Sequence, residues 1–220
     1  MVVVIRRGTD RFIERQRGRL SAHAFSFGAT YDADHLRFGP MVCHDDHLLK
    51  AGEGFPSHRH TDLVIVTWVL SGAVAHEGPT GTAQVTPGQV AVLRAGTGVD
   101  HAETAAAPQT RFIQVWLTPA EPGGEPSYDV TPVELPVGEL VRVCEPDPGS
   151  VFSVARLDTN QTVTIPSASR THVFVGRGAL LRSSLAEPLH DGDAFLFTDK
   201  PSYDLTAGVP TELLVWSFGA

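Results

Sequence analysis

The chain has little cysteine and no long apolar run. Its two cysteines, Cys43 and Cys144, are far apart and in no paired motif, which excludes a disulfide framework and fits a reducing compartment. The apolar opening Met1-Val2-Val3-Val4-Ile5 is too short for a signal segment, and its charges, Arg6-Arg7, follow rather than precede it. No segment reaches the roughly 20 apolar residues that span a bilayer. A cytoplasmic protein without membrane contact is expected. Long stretches of helical period are missing too, so any helices should be short. The chain also lacks a positive balance: its net charge is −8 and its pI is near 5.6, which disfavours non-specific binding to nucleic acid or anionic membrane. The one basic stretch, Arg6 to Arg19, interleaves its arginines with Asp10 and Glu14. It reads as a solvated face, and no direct nucleic-acid binding is expected.

What is present is β punctuation. With 42% hydrophobic and 19% charged residues, a chain of 220 residues can bury the core of one large β domain or two small ones. Twenty-one glycines and sixteen prolines separate short apolar runs, as in a protein of many strands and turns. Leu63–Leu70, Gln89–Leu93 and Arg111–Leu117 each read as a strand of a sandwich or barrel. A connector rich in proline and glycine runs from Thr118 to Pro126. Beyond it the chain echoes itself. Phe174–Leu180 and His190–Phe197 repeat the outline of Trp68–Val74 and Thr86–Leu93, each a strand into a glycine turn with a second turn about fifteen residues later. The expected organisation is two similar β domains, residues 1–118 and 119–220.

Four residues carry the chemistry. His58 and His60 form one pair with a single residue between them, and His101 and Glu103 form another. On a strand, side chains at i and i+2 leave the same face, so each pair can aim two donors at one point and two neighbouring strands can converge four. Three imidazoles and a carboxylate suit a divalent first-row transition metal. The second half has only the single histidines His172 and His190, so one metal in the first half is expected. In Cys43-His44-Asp45-Asp46-His47, consecutive residues face opposite ways on a strand, which argues against a second ion there.

Gly52, His58 and His60 match the first motif of the cupin superfamily, a glycine followed after five residues by His-x-His. More narrowly, the chain resembles the pirin family. The resemblance lies in Ala24-Phe25-Ser26-Phe27 with Tyr31-Asp32, Gly54-Phe55 through His60, Thr67–Gly72 with Pro87-Gly88, Ala95–Glu103, and Gln114-Val115-Trp116-Leu117. It covers roughly residues 20–118. The resemblance implies an all-β bicupin, two β-sandwich or barrel (double-stranded β-helix) domains with a few short helices. It also implies a metal held by His58, His60, His101 and Glu103 in the first domain only, commonly iron as Fe(II), with Mn, Ni, Co, Cu or Zn as further candidates.

The activity so implied is quercetin 2,3-dioxygenase, with O2 and a small aromatic substrate such as a flavonol; the alternative is a non-catalytic iron-dependent regulator that binds a protein partner. Glu103, the one carboxylate among the ligands, is also the expected acceptor of a substrate proton. His76, and Trp68 with Trp116 and Phe112, are candidates for the substrate pocket, with His76 alternatively supporting a ligand. The chain departs from the family pattern at Arg59, where proline is usual, at Val64, where an acid is common, and at Ala75, where glutamate precedes the histidine. These positions are expected to border the pocket and to bear on which substrate is used.

Overall fold

The computed structural model describes residues 2–78, 81–182 and 187–219. Among them the chain is all-β, with one 3-10 turn at Gly8–Asp10. In chain order the first strands are β1 (Val2–Arg6), β2 (Phe12–Gln16), β3 (Arg19–His23), β4 (Met41–Lys50), β5 (Gly54–His60) and β6 (Val64–Ser71). Next come β7 (Val74–Gly78), β8 (Gly81–Val85), β9 (Gln89–Arg94), β10 (Val99–Ala105), β11 (Gln109–Leu117) and β12 (Ser127–Pro132). The remainder are β13 (Leu140–Asp147), β14 (Ser150–Leu157), β15 (Thr162–Ile165), β16 (Ala168–Arg177), β17 (Ala194–Lys200), β18 (Tyr203–Thr206) and β19 (Thr211–Phe218).

The strands fall into two compact units, Phe12–Val133 and Met1–Arg11 with Glu134–Ala220. This division differs from a boundary after residue 118 in two ways, both set by backbone pairing. β12 follows the connector but adds to β9, with Tyr128 opposite Leu93. β1 opens the chain but pairs with β17, Val4 opposite Leu196. The basic N-terminal stretch is absorbed into structure as well. Arg7 pairs with Asp193 at 2.8 Å, Arg11 lies over the Phe174 ring, and Arg19 lies over Phe55.

The Phe12–Val133 unit packs a seven-stranded sheet, order β12-β9-β6-β11-β4-β3-β2, and a four-stranded sheet, order β5-β10-β7-β8. Its centre is β6, VIVTWVLS, buried along nearly its whole length, which is why that segment is a continuous apolar run rather than an alternating one. Among the described residues, Val69, Val74, Val85, Ala91 and Phe112 belong to one apolar cluster of this unit.

The repeat is real in three dimensions. In the first unit Trp68 pairs with Val90 across β6 and β9; in the second, Phe174 pairs with Ala194 across β16 and β17, the same register that the sequence echo implies. The glycine turns match too. Gly72 and Gly178 both have positive φ, and a Cβ on either would strike a threonine hydroxyl on the neighbouring strand, Thr110 or Thr211. That hydroxyl donates to the carbonyl of the residue after the glycine, Ala73 or Ala179. By strand order, the β5–β10 pair of the first unit corresponds to the β15–β18 pair of the second. There, Val163 faces Leu205, and both are core residues. Where the first unit has histidines, the second has aliphatic side chains.

Candidate metal centre

β5 and β10 pair antiparallel with His58 opposite His101. The register then slips, so that Glu103 faces Phe55; the extra residue lies on β5 around Pro56 and Ser57. A bulge re-aims side chains beside it, and proline, which has no N–H for the ladder, is tolerated at such a point. Along β10 burial alternates, with Val99, His101, Glu103 and Ala105 facing inward. Because i and i+2 share a face, the histidines of both strands meet. One ligating nitrogen from each of His58, His60 and His101 lies within 4.8 Å of the others, and the ring centroids are 4.5 to 5.1 Å apart.

The protonation pattern suits coordination. His58 Nδ1 lies 2.8 Å from the Pro56 carbonyl. A carbonyl only accepts, so Nδ1 carries the proton and Nε2 keeps a lone pair. Nε2 of His60 and of His101 are buried without a hydrogen-bond partner, an arrangement that costs free energy unless something else occupies those lone pairs. Burial, reinforced by the neighbouring His58, lowers the pKa of His60 to about 4. Burial also lowers that of His101 to about 3, with His58, His60 and His76 adding to the effect. Both imidazoles are therefore neutral, the form that binds a metal. An ion fits this donor set.

Glu103 is not part of the group gathered to that distance. Its carboxylate is buried, and both oxygens accept from Gln114 Nε2, at 3.0 and 2.9 Å. Trp116 Nε1 donates to Gln114 Oε1 at 2.8 Å, which fixes the amide so that its N–H bonds face Glu103. Burial pushes the Glu103 pKa up and the Gln114 hydrogen bond opposes the rise. A carboxylate engaged on both oxygens is a constrained donor, and as an acceptor of a substrate proton it is already occupied on the side facing Gln114.

His76 is buried, and its Nε2 lies 3.1 Å from His101 Nδ1. Its ring lies flat on Tyr128, 3.7 Å between centroids. It supports a candidate ligand and does not line the cavity described next.

That cavity, about 250 Å3, lies beside the histidines. Its apolar walls are Phe27, Phe55, Pro56 and Trp116; His58, Glu103 and Gln114 line it as well. The volume is slightly under the roughly 300–1,000 Å3 usual for small-molecule sites. A larger, shallower depression of about 710 Å3, among Arg15, Leu49, Lys50 and Pro108, has no comparable group of ligating side chains. Trp68 does not reach the cavity. Its neighbour Thr67 points toward Gln114, so Trp68 leaves the opposite face of β6 and is buried there. Phe112 is wholly buried in the apolar cluster. Arg59 and Val64 do not line the cavity either. Arg59 lies between the two histidines in sequence, so it points the other way and pairs with Asp100 at 2.9 Å, while Val64 is buried at the start of β6.

Sequence reasoning missed Gln114, His23 and His47, all of which line the cavity. Gln114 was detectable as a polar residue in step with Phe112 and Trp116 on an otherwise apolar face of β11.

Two β-sandwich units with a ligating cluster in one of them define a bicupin. The chain belongs to the pirin family, whose family model (Pirin) matches residues 6–117. A Mycobacterium tuberculosis protein provisionally named quercetin 2,3-dioxygenase is 36% identical over 99% of this chain and 96% of its own length. The quercetin 2,3-dioxygenase of Escherichia coli is 30% identical over 89% and 90%. Among solved structures, the bacterial pirin YhhW of Escherichia coli in complex with nickel(II) superposes with a TM-score of 0.90 over 99% of both chains at 23% identity. Among the described residues no helix is long and apolar enough to cross a membrane.

Proposed function

We propose that this chain is a metal-dependent oxygenase of the quercetin 2,3-dioxygenase type, acting on a small aromatic substrate such as a flavonol with O2. The observation that carries the reading is the cavity with aromatic walls that shares His58 and Glu103 with the candidate metal centre. The names of the relatives support the flavonol. His58, His60 and His101 would supply three neutral imidazoles and Glu103 a carboxylate to one divalent ion, with Fe(II) the first choice and Mn, Ni, Co, Cu or Zn compatible with the same donors. The nickel(II) in the Escherichia coli pirin supports that breadth. When bound, such an ion supplies Lewis-acid and, where redox-active, electron-transfer chemistry.

The chain's own residues do the rest. Trp116, Phe27 and Phe55 offer faces and edges for an aromatic ring. The Trp116–Gln114–Glu103 chain of hydrogen bonds holds the carboxylate in one orientation, and His76 braces His101. A cavity shaped for a small molecule favours catalysis over a regulator whose metal only tunes a protein contact. Cys43 and Cys144, neither of them in a disulfide, support a reducing compartment, the cytoplasm.

The test is reconstitution. Stripped chain is loaded separately with Fe2+, Mn2+, Ni2+, Co2+, Cu2+ and Zn2+ and assayed for quercetin loss and O2 uptake. Equimolar consumption with at least one redox-active ion, and none with Zn2+, is expected. Absence of turnover with all six removes the oxygenase reading.

A further inference from the structure

His23 and Asp45 form a buried pair in the wall of the same cavity. They sit opposite each other on β3 and β4, with His23 Nδ1 2.7 Å from Asp45 Oδ2. His23 is 5% and Asp45 3% exposed, so this contact is not a solvated surface pair. The carboxylate accepts, so Nδ1 donates and the working atom is Nε2. His23 Nε2 is buried and has no hydrogen-bond partner; the nearest acid, Glu14 Oε2, is 3.6 Å away. Phe27 lies parallel to the imidazole, 4.8 Å between centroids, and fixes the ring plane. An imidazole of the cavity wall held by a buried carboxylate through one nitrogen, with the other nitrogen buried and without a hydrogen-bond partner, has the arrangement of a general base.

We propose that His23, oriented by Asp45, takes the proton of an acidic hydroxyl on the substrate and holds the resulting oxyanion. The O–H bond breaks, an N–H bond forms at Nε2, and no electron changes hands. The imidazolium is then flanked by Asp45 on one side and the substrate oxygen on the other. This rests on the aromatic substrate proposed above and narrows it to phenols and enols with an ionisable hydroxyl. It also moves the proton from Glu103, whose oxygens both accept from Gln114, to His23.

The surrounding charges agree. Burial opposes protonation of His23, but the hydrogen bond and charge of Asp45, followed by Glu14, lift its pKa above the ordinary value. The adjoining His47, whose Nδ1 meets Ser21 Oγ at 2.7 Å, is pushed by burial down to about 4 and stays neutral. Arg19 faces Glu14 at 3.6 Å and partly offsets that acid. Of the two histidines here, His23 is the one whose surroundings favour the imidazolium that forms when it takes a proton.

The experiment uses the full chain equilibrated with Zn2+, so that no redox turnover consumes the probe, and 4-nitrophenol over a pH range from about one unit below to about one unit above the probe's own pKa. The range extends to where His23 starts neutral, and the phenolate of the free probe is subtracted at each pH. Wild-type chain should bind it saturably and turn it to the yellow phenolate. His23→Gln should bind zinc at the same stoichiometry, give no yellow species, and bind the probe about tenfold or more weakly, the worth of one charge-assisted hydrogen bond. Asp45→Asn should lower the phenolate yield at intermediate affinity. The same yellow yield in wild type and His23→Gln would assign the proton to the zinc end and overturn the proposal. So would saturable binding of the neutral phenol by wild type, or no saturable binding. Quercetin turnover with redox-active ions is a separate readout, so failure of the oxygenase reading is distinguishable from failure of this one.

Discussion

Alanine at His101 is expected to abolish stoichiometric metal binding, a loss well beyond the roughly 10–100-fold seen when only a partner of a ligand is altered. His101 is the histidine that β10 brings to the pair on β5, and its buried Nε2 has no other partner. Without it, the two imidazoles of one strand remain with Glu103, whose two oxygens are already engaged by Gln114, a set too constrained for tight coordination of a first-row ion. The substitution also removes the partner of His76 Nε2, a buried contact worth about 1–3 kcal/mol, so unfolding must be measured alongside. His58→Ala separates the two effects. His58 is only half-buried, and its loss should remove metal with little change in stability. Metal retained at one ion per chain in both variants would sink the assignment.

Gly54→Ala should be the most damaging conservative change near the site. A methyl group there would sit 2.0 Å from the Glu103 carbonyl oxygen and 2.8 Å from Thr104 Cα. These are backbone atoms of β10 that cannot swing aside, so the strands must part. The expected cost is at or above the upper end of the about 1–3 kcal/mol typical of overpacking, together with weakened metal binding, because β5 and β10 carry all four candidate ligands. Gly52→Ala is the control. Gly52 has φ +76 and nothing within 4 Å of the added methyl, so it should cost about 1 kcal/mol from the backbone alone. Urea unfolding of the two variants, with metal titration, measures the contrast; equal effects would mean that the close approach at Gly54 is not tight.

The strand period made His58, His60, His101 and Glu103 legible, because i and i+2 on a strand share a face whatever the rest of the fold does. The same rule explains why Arg59, expected at the pocket, instead points outward to Asp100, and it splits the Cys43–His47 run, leaving Asp45 and His47 at the cavity and Asp46 facing Arg111. It gave no guidance for Trp68, since β6 is buried on both faces and its sequence does not alternate. The repeat was legible down to the register of Trp68–Val90 and Phe174–Ala194. Contacts set by cross-strand register were not: His23 meets Asp45 because β3 and β4 pair in one particular alignment, and the bulge at Pro56 and Ser57 sets Glu103 opposite Phe55, one residue off the register of the His58–His101 pair. Nor did the sequence show that β1 crosses to β17, a pairing between segments at opposite ends of the chain.

On this reading three imidazoles of the first unit hold one transition-metal ion. Elemental analysis of chain purified without added metal, with X-ray absorption at the edge of the ion found, tests it most directly. One divalent first-row ion per chain is expected, with imidazole scattering from three histidines that is lost in His101→Ala. A chain that holds no stoichiometric ion even after exposure to each candidate metal, or an ion without imidazole scattering, would contradict it.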